Sequence, residues 1–407
     1  MSPDPSTQSQ PQDGLPPMGT THLLLGPGPS MVHPRVLDAM RRPLLGHLDP
    51  AFLSLMTDTQ HLLRGLFQTQ NPFTIAVSGT GSAAMEAAIV NLIEPGDRVL
   101  VCVNGVFGQR LCQMVERCGG LLICLESPWG QPIPLEKLEV CLQASTPVKA
   151  VAIVHAETST GVRQPLDAFG PLCHRYGALS IVDAVTSLGG IPVKVDQWEI
   201  DACYSATQKC VSCPPGVAPL TLSPMAMDAI HKRKTPCQSW YLDCSLVGDY
   251  WAEGKRTYHH TAPISMIYAL HESLRLIHEE GLQPRFDRHH LNSLALRAGL
   301  EVLGFSLFPN PAYALPTLHC MQLPEFLPDQ PARSQLLHEF QIEVGGGLGS
   351  LAGKVWRIGL MGESSQKQHV LRLLDAIETL CSRTHGVMTK GQSQAAAISV
   401  YDHALSS

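Results

Sequence analysis

Charge is scarce in this sequence. Asp, Glu, Lys and Arg make up 16% of its 407 residues, against about a quarter in a typical soluble domain. With 44% apolar residues, so thin a charged coat implies that much surface is buried, in part between subunits. A basic excess is absent as well. The formal net charge is −6, which removes the electrostatic footprint expected of a nucleic-acid binder. No apolar run approaches the ~20 residues that cross a bilayer. The opening "MSPDPSTQSQPQDGLPPMGTTH" has neither the apolar core of a signal peptide nor the arginines of a transit peptide, and the closing "DHALSS" is not a peroxisomal tripeptide. A cytoplasmic protein is therefore expected, with peroxisome or mitochondrion as the alternatives.

Thirteen cysteines form an odd set, scattered through apolar stretches such as "VLVCV" and "GLLICL". They read as small hydrophobes in a reducing compartment, not as a disulfide framework. Cys210 and Cys213 make one C-x-x-C. A structural zinc would want a second close pair, and Cys237 and Cys244 are too widely spaced to supply it. The neighbouring histidines His259–His260 and His289–His290 also lack ligand spacing. No metal is expected.

What the chain does have is a regular alternation. "FTIAVS", "RVLVCV", "LLICL", "VKAVAIVHA", "ALSIVDAV" and "IDACYSAT" read as buried strands, and the segments between the first five read as helices, such as "SAAMEAAIVNLI" and "FGQRLCQMVERC". Strands alternating with helices predict an α/β domain with a largely parallel sheet covered on both faces. A ligand then sits beyond the carboxyl ends of the strands. After about residue 260 the pattern changes to long helices and then to a second α+β segment. Residues 1–22 are expected to form an N-terminal arm, 23–285 the large domain, 286–384 a small C-terminal α+β domain, and 385–407 a loose tail.

Three stretches stand where such a sheet places its ligand. The first is "VSGTGSAAME", joining a strand to a helix, with Thr80, Gly81 and Ser82 at its centre. Small residues let backbone N–H groups approach an anion, and the helix dipole adds positive potential. The same stretch matches G-x-G-x-x-A, a dinucleotide fingerprint that would make the protein a nicotinamide-dependent oxidoreductase. It also serves as a tight turn needed only for packing. The second is "LSIVDAVTSLGG", whose Asp183 ends an apolar run and so calls for a cation or a structural partner. The third is "SATQKCVSCPPG", whose Lys209 is either a solvated charge or an amine held for chemistry. Together they match the needs of pyridoxal 5′-phosphate: a phosphate cradle, a lysine for covalent attachment, and an aspartate to keep the pyridine nitrogen protonated.

With "LLLGPGPS", "NGVFGQR", "ETSTGV", "YHHTAP" and "GGGLGSLAGKVWRIGLMG" in order around them, these stretches resemble the class V aminotransferases over roughly residues 22–380. The likeness is greatest to the alanine–glyoxylate (serine–pyruvate) group. The resemblance implies the type I PLP-transferase fold, with a mainly parallel seven-stranded sheet in the large domain. It implies transamination between alanine or serine and glyoxylate or pyruvate. Serine–glyoxylate, 3-hydroxykynurenine and 2-aminoethylphosphonate transamination are the alternatives within the family.

Residue by residue, the resemblance makes Lys209 the attachment lysine and Asp183 the partner of the ring nitrogen. Gln208, Thr80, Gly81 and Ser82 surround the phosphate. Val185 packs on one ring face and Phe107 stacks on the other, where the family often carries tryptophan. Thr158 lies near the ring's 3-oxygen. Arg357 binds the substrate carboxylate, and Gly28 lies beside the substrate; taken alone, Arg357 reads equally well as a surface arginine. Tyr258 and Thr261 reach the phosphate of a neighbouring subunit, which implies a homodimer with shared sites.

Overall fold

The computed structural model describes residues 22–385, apart from 253 and 255, and residues 390–406. The expected N-terminal arm lies, but for residue 22, outside the described residues.

Seven strands form the main sheet: β1 (Phe73–Ser78), β2 (Arg98–Val103), β3 (Leu121–Glu126), β4 (Ala150–Val154), β5 (Leu179–Asp183), β6 (Ala202–Tyr204) and β7 (Val217–Leu222). Their spatial order is β1-β7-β6-β5-β4-β2-β3. All neighbours run parallel except β7, which is antiparallel to both β1 and β6. Every residue of β4, β5, β6 and β7 is buried, which is why their sequences are apolar runs without alternation. Helices Gly81–Leu92, Val106–Arg117, Leu135–Ser145 and Phe169–Arg175 fill the connections expected of parallel strands. Ser78, Val103, Val154, Asp183 and Tyr204 consequently end at one edge of the sheet.

A second, antiparallel sheet orders Ser306–Leu307, Leu318–Gln322, Val355–Gly359 and Gly345–Gly346. The two sheets have separate hydrophobic cores, one running from Val36 to Ile277 and the other drawing mainly on residues beyond Ala295. Two expectations are corrected here. Leu23 and Leu25 belong to the second core, because Leu23–Leu24 pairs in parallel with Ile342–Glu343. Position 285/286 falls inside the unbroken helix Leu282–Val302, which serves both cores.

The loose tail is also overturned. Gln392–Ser406 is a helix packed on Leu282–Val302. Ser393, Ala397 and Tyr401 are buried, at the i, i+4, i+8 spacing of one helical face. Ser393 donates from N–H and Oγ to Glu378, at 2.9 and 2.5 Å. The Tyr401 hydroxyl donates to Asn292 at 2.7 Å. Many Ser, Gln and Ala residues concealed this face in the sequence.

Candidate active site

Asp183 closes β5 and is 3% exposed. Its carboxylate accepts the Val185 N–H at 2.9 Å and the Tyr204 hydroxyl at 3.0 Å. Tyr204 is its direct cross-strand partner on β6. Burial nonetheless pushes the carboxyl up to about 6, since two neutral donors replace water incompletely.

From β6 the chain continues through Ala206 and Gln208 to Lys209. The Lys209 ammonium donates to the Pro27 carbonyl. Burial pushes the amine down to about 8, and the positive Arg357 adds to the shift. Gly28, at φ +105°, leaves no room for a β-carbon, because the Lys209 side chain occupies that space; glycine alone fits. The Ser30 N–H donates to the Gln208 carbonyl at 2.9 Å, and Ser30 Oγ donates to the Lys209 carbonyl at 2.8 Å. The loop "GPGPS" therefore holds the lysine backbone as well as facing its amine.

The Gly-rich turn meets both neighbours. Thr80 is the N-cap of helix Gly81–Leu92 and makes no side-chain cap bond, which leaves the positive helix end facing outward. A β-carbon on Gly81 would lie 2.7 Å from Ala206 Cβ and 3.6 Å from Val185 Cγ2. The turn thus touches the loop that leaves Asp183 and the segment that leads to Lys209. Thr80 and Ser82 are exposed, while the carbonyl oxygen of the Gln208 side chain is buried without a partner.

Phe107 opens helix Val106–Arg117 and is half-buried, with the Arg110 guanidinium 4.9 Å from its ring centroid. Glu157 anchors this turn. It is fully buried and accepts from the Phe107 and Gly108 N–H groups at 3.1 and 3.3 Å, and from the Ser159 N–H and hydroxyl at 3.0 and 2.5 Å. Burial still holds it above the ordinary carboxylate range. Thr158 is buried beside it. Arg357, on strand Val355–Gly359, is 8% exposed. Its Nε donates to the Gly346 carbonyl at 2.7 Å, which orients the guanidinium plane.

Tyr258 and Thr261 differ from the others. Both are exposed, and their hydroxyls lie 3.5 Å apart. The adjoining His260 hydrogen-bonds Ser78 Oγ at 2.6 Å, which places the stretch beside the strand that feeds the Gly-rich turn. Cys210 and Cys213 are buried free thiols, with Cys210 Sγ donating to the Thr186 carbonyl at 3.1 Å. Sequence reasoning passed over Tyr204, Glu157 and Ser30. Tyr204 and Glu157 stand inside or beside motifs it had quoted, and a carboxylate in "ETSTGV" between apolar strands was the available signal.

No helix among the described residues is long and apolar enough to cross a membrane. The chain is 43% identical over 365 residues to an alanine–glyoxylate aminotransferase of Oryctolagus cuniculus, covering 89% of this chain and 93% of that one. It is 41% identical over 399 residues to the (S)-ureidoglycine–glyoxylate transaminase of Bacillus subtilis, covering 94% and 95%. A crystal structure of an alanine–glyoxylate aminotransferase from Nostoc sp. superposes with a TM-score of 0.88 at 49% identity, covering 93% of this chain and all of that one. The Aminotransferase class-V family matches residues 22–368, a span that contains every site residue above, so the dinucleotide reading of Gly79–Ala84 gives way and the chain belongs to the class V aminotransferases.

Proposed function

We propose that this protein moves the amino group of a small amino acid, alanine or serine, to glyoxylate, with pyridoxal 5′-phosphate attached at Lys209. The observation that carries the reading is the amine of Lys209, recessed among Asp183, Arg357 and the Gly28 loop and held near 8 by burial. An amine in that range has a reactive neutral fraction at neutral pH, whereas a solvated lysine has almost none.

The surrounding residues fit the cofactor. The helix end at Thr80–Ser82 and the unsatisfied Gln208 amide suit a phosphate, the amide turning its donor end toward it. Asp183, raised by burial, gains most from a cation beside it, as a protonated ring nitrogen provides. When bound, the cofactor supplies an electron sink for the substrate carbanion. Arg357 orients the substrate through its α-carboxylate, using the guanidinium nitrogens that Gly346 leaves for the purpose. The Lys209 amine, near the substrate α-carbon in this reading, would act as the general base that takes the proton from that carbon and gives it back on the other side of the transfer.

The homodimer belongs to the same reading. Next to Tyr258, His259 stacks on Trp240 and lies near Tyr241, and Trp240, Tyr241 and Tyr258 are all exposed, an aromatic patch suited to a second copy of the chain. Tyr258 and Thr261 would then reach the partner's phosphate.

Steady-state kinetics with alanine, serine and (S)-ureidoglycine as donors, each against glyoxylate and pyruvate, test the assignment. The expected result is the highest kcat/KM for alanine or serine with glyoxylate. Preference for ureidoglycine would move the chain to the activity named for its Bacillus relative. No turnover of any pair would sink the proposal.

A further inference from the structure

The turn after Lys209 has three successive carbonyls, each satisfied from a different direction. The Lys209 carbonyl accepts from Ser30 Oγ and the Ser212 N–H, and the Val211 carbonyl accepts from Ser273 Oγ. Between them the Cys210 carbonyl accepts from Arg285 Nη2 at 2.7 Å. The same guanidinium donates from Nε to the Gly189 carbonyl, also at 2.7 Å. Gly189 lies in the loop that leaves Asp183. One planar fork therefore clips the Lys209 loop to the Asp183 loop.

Arg285 is 5% exposed, and its third nitrogen donates to Glu280 at 2.6 Å. Glu280 is shared with Arg288, whose Nε and Nη2 donate to it at 2.6 and 3.0 Å. Arg288 Nη1 in turn donates to the Gly362 carbonyl at 3.0 Å and to the Ser365 carbonyl. Gly362 follows the strand that carries Arg357, and its N–H donates to His289 at 2.9 Å. Gly362 also presses on the lysine turn: Ser212 Oγ fills the space a β-carbon there would need, and Ser212 Oγ accepts the Glu363 N–H at 2.8 Å.

A guanidinium buried as deeply as that of Arg285 costs free energy that apolar packing would not, so stability alone does not explain it. The chain of contacts ends on backbone carbonyls: Gly189 in the loop after Asp183, Cys210 next to Lys209, and Gly362 and Ser365 in the segment after the strand that carries Arg357. We propose that Arg285, tied through Glu280 to Arg288, is a positioning residue that fixes Lys209 relative to Asp183 and couples it to the segment holding Arg357. It acts through the Cys210 carbonyl and touches no reacting atom. The proposal rests on Lys209 being the attachment lysine.

Borohydride labelling of the cofactor-loaded wild-type protein comes first, and a label away from Lys209 ends the underlying assignment. With Lys209 labelled, Arg285→Lys, Arg285→Met and Glu280→Gln test the positioning itself. Lysine keeps the charge but puts all its donors on one nitrogen, so it cannot reproduce the fixed geometry of the planar fork. In cofactor-free Arg285→Lys, amide hydrogen exchange in the peptide 205–216 should speed up at least tenfold, while the peptide 81–92 keeps its wild-type rate. In the loaded protein, the pH midpoint of the visible absorbance should move by half a unit or more, with kcat down about tenfold and the donor KM within threefold. Glu280→Gln should instead raise the donor KM more than it lowers kcat, since it releases the Arg357 side. Variants that melt at lower temperature yet keep the wild-type exchange in 205–216, pH midpoint and kcat would overturn the proposal and leave an ordinary structural ion pair. Arg285→Lys and Glu280→Gln keep the test open if Arg285→Met fails to fold.

Discussion

Two short polar stretches border the same sheet edge and meet opposite fates. Around Asp183 and Lys209, each side chain finds its partners within the chain, and burial moves the carboxyl up to about 6 and the amine down to about 8. Around Tyr258 and Thr261, the hydroxyls stay exposed and meet one another, while the Tyr258 ring lies 5.1 Å from the His47 ring. Residue type is not at issue, because threonine and tyrosine occur in both places. The difference lies in which surfaces the fold closes over. One chain completes the surroundings of the amine and of the carboxylate. On the dimeric reading, a second chain is needed to complete the phosphate end.

Removing the amine should break the first region most severely. Lys209→Ala is expected to lower kcat about 10³-fold or more, because attachment and proton transfer go together. The wild-type protein sharpens the point. Only the neutral amine attacks an aldehyde, so the rate of cofactor uptake by the free protein should rise with pH through about 8 and level off above it. Stopped-flow absorbance from pH 6.5 to 9.5, approximate limits set by that value, would record this rise. A flat profile would mean that Lys209 is not the attacking group. Arg357→Met removes a nearby positive charge and should move the rise to higher pH.

Asp183→Asn should cost less. The shape and the Val185 contact persist, while the amide nitrogen donates to the Tyr204 hydroxyl where the carboxylate oxygen accepts from it. The charge proposed to face the ring nitrogen goes, and a kcat loss of about 10²-fold is typical for a missing electrostatic partner. Near-normal turnover in that variant would show that the nitrogen has another partner.

The smallest effect belongs to the second region. Tyr258→Phe with Thr261→Ala should weaken cofactor affinity about tenfold, the scale of losing hydrogen bonds to an anion. Its diagnostic value lies in complementation. A Lys209→Ala subunit mixed with this double variant under chain exchange should recover about half the wild-type activity per heterodimer, because both defects fall in one of two sites. At the surviving site cofactor affinity should stay at the wild-type value. A roughly tenfold weaker affinity there despite proven exchange would place Tyr258 and Thr261 in their own chain's site and erase the contrast between the regions.

Much of the site was legible because its signals are local. Asp183 ends a run of buried residues, and a Gly-rich turn precedes a helix; both follow from strand burial and helix polarity. Tyr204 was not legible, since its role depends on sheet register, which pairs it with Asp183 across β6. The helix Gln392–Ser406 escaped for a related reason. Its buried face is Ser, Ala and Tyr, residues that carry little hydrophobic periodicity and gain meaning only against Asn292 and Glu378.

The sequence by itself determined the α/β alternation and pointed to the strand ends, with Lys209, Asp183 and the Gly-rich turn as the candidate residues there. These depend on residues a few positions apart, where periodicity and end effects act. Only the tertiary structure decided which charges share an environment. Lys209 and Arg357 are 148 positions apart (357 − 209), yet the charge of Arg357 helps burial hold the Lys209 amine down. Arg285 holds loops that contain Gly189 and Cys210 through carbonyls no side-chain pattern reveals. Long-range electrostatics and backbone hydrogen bonds of this kind arise when distant segments exclude water together, and that exclusion is a property of the folded chain.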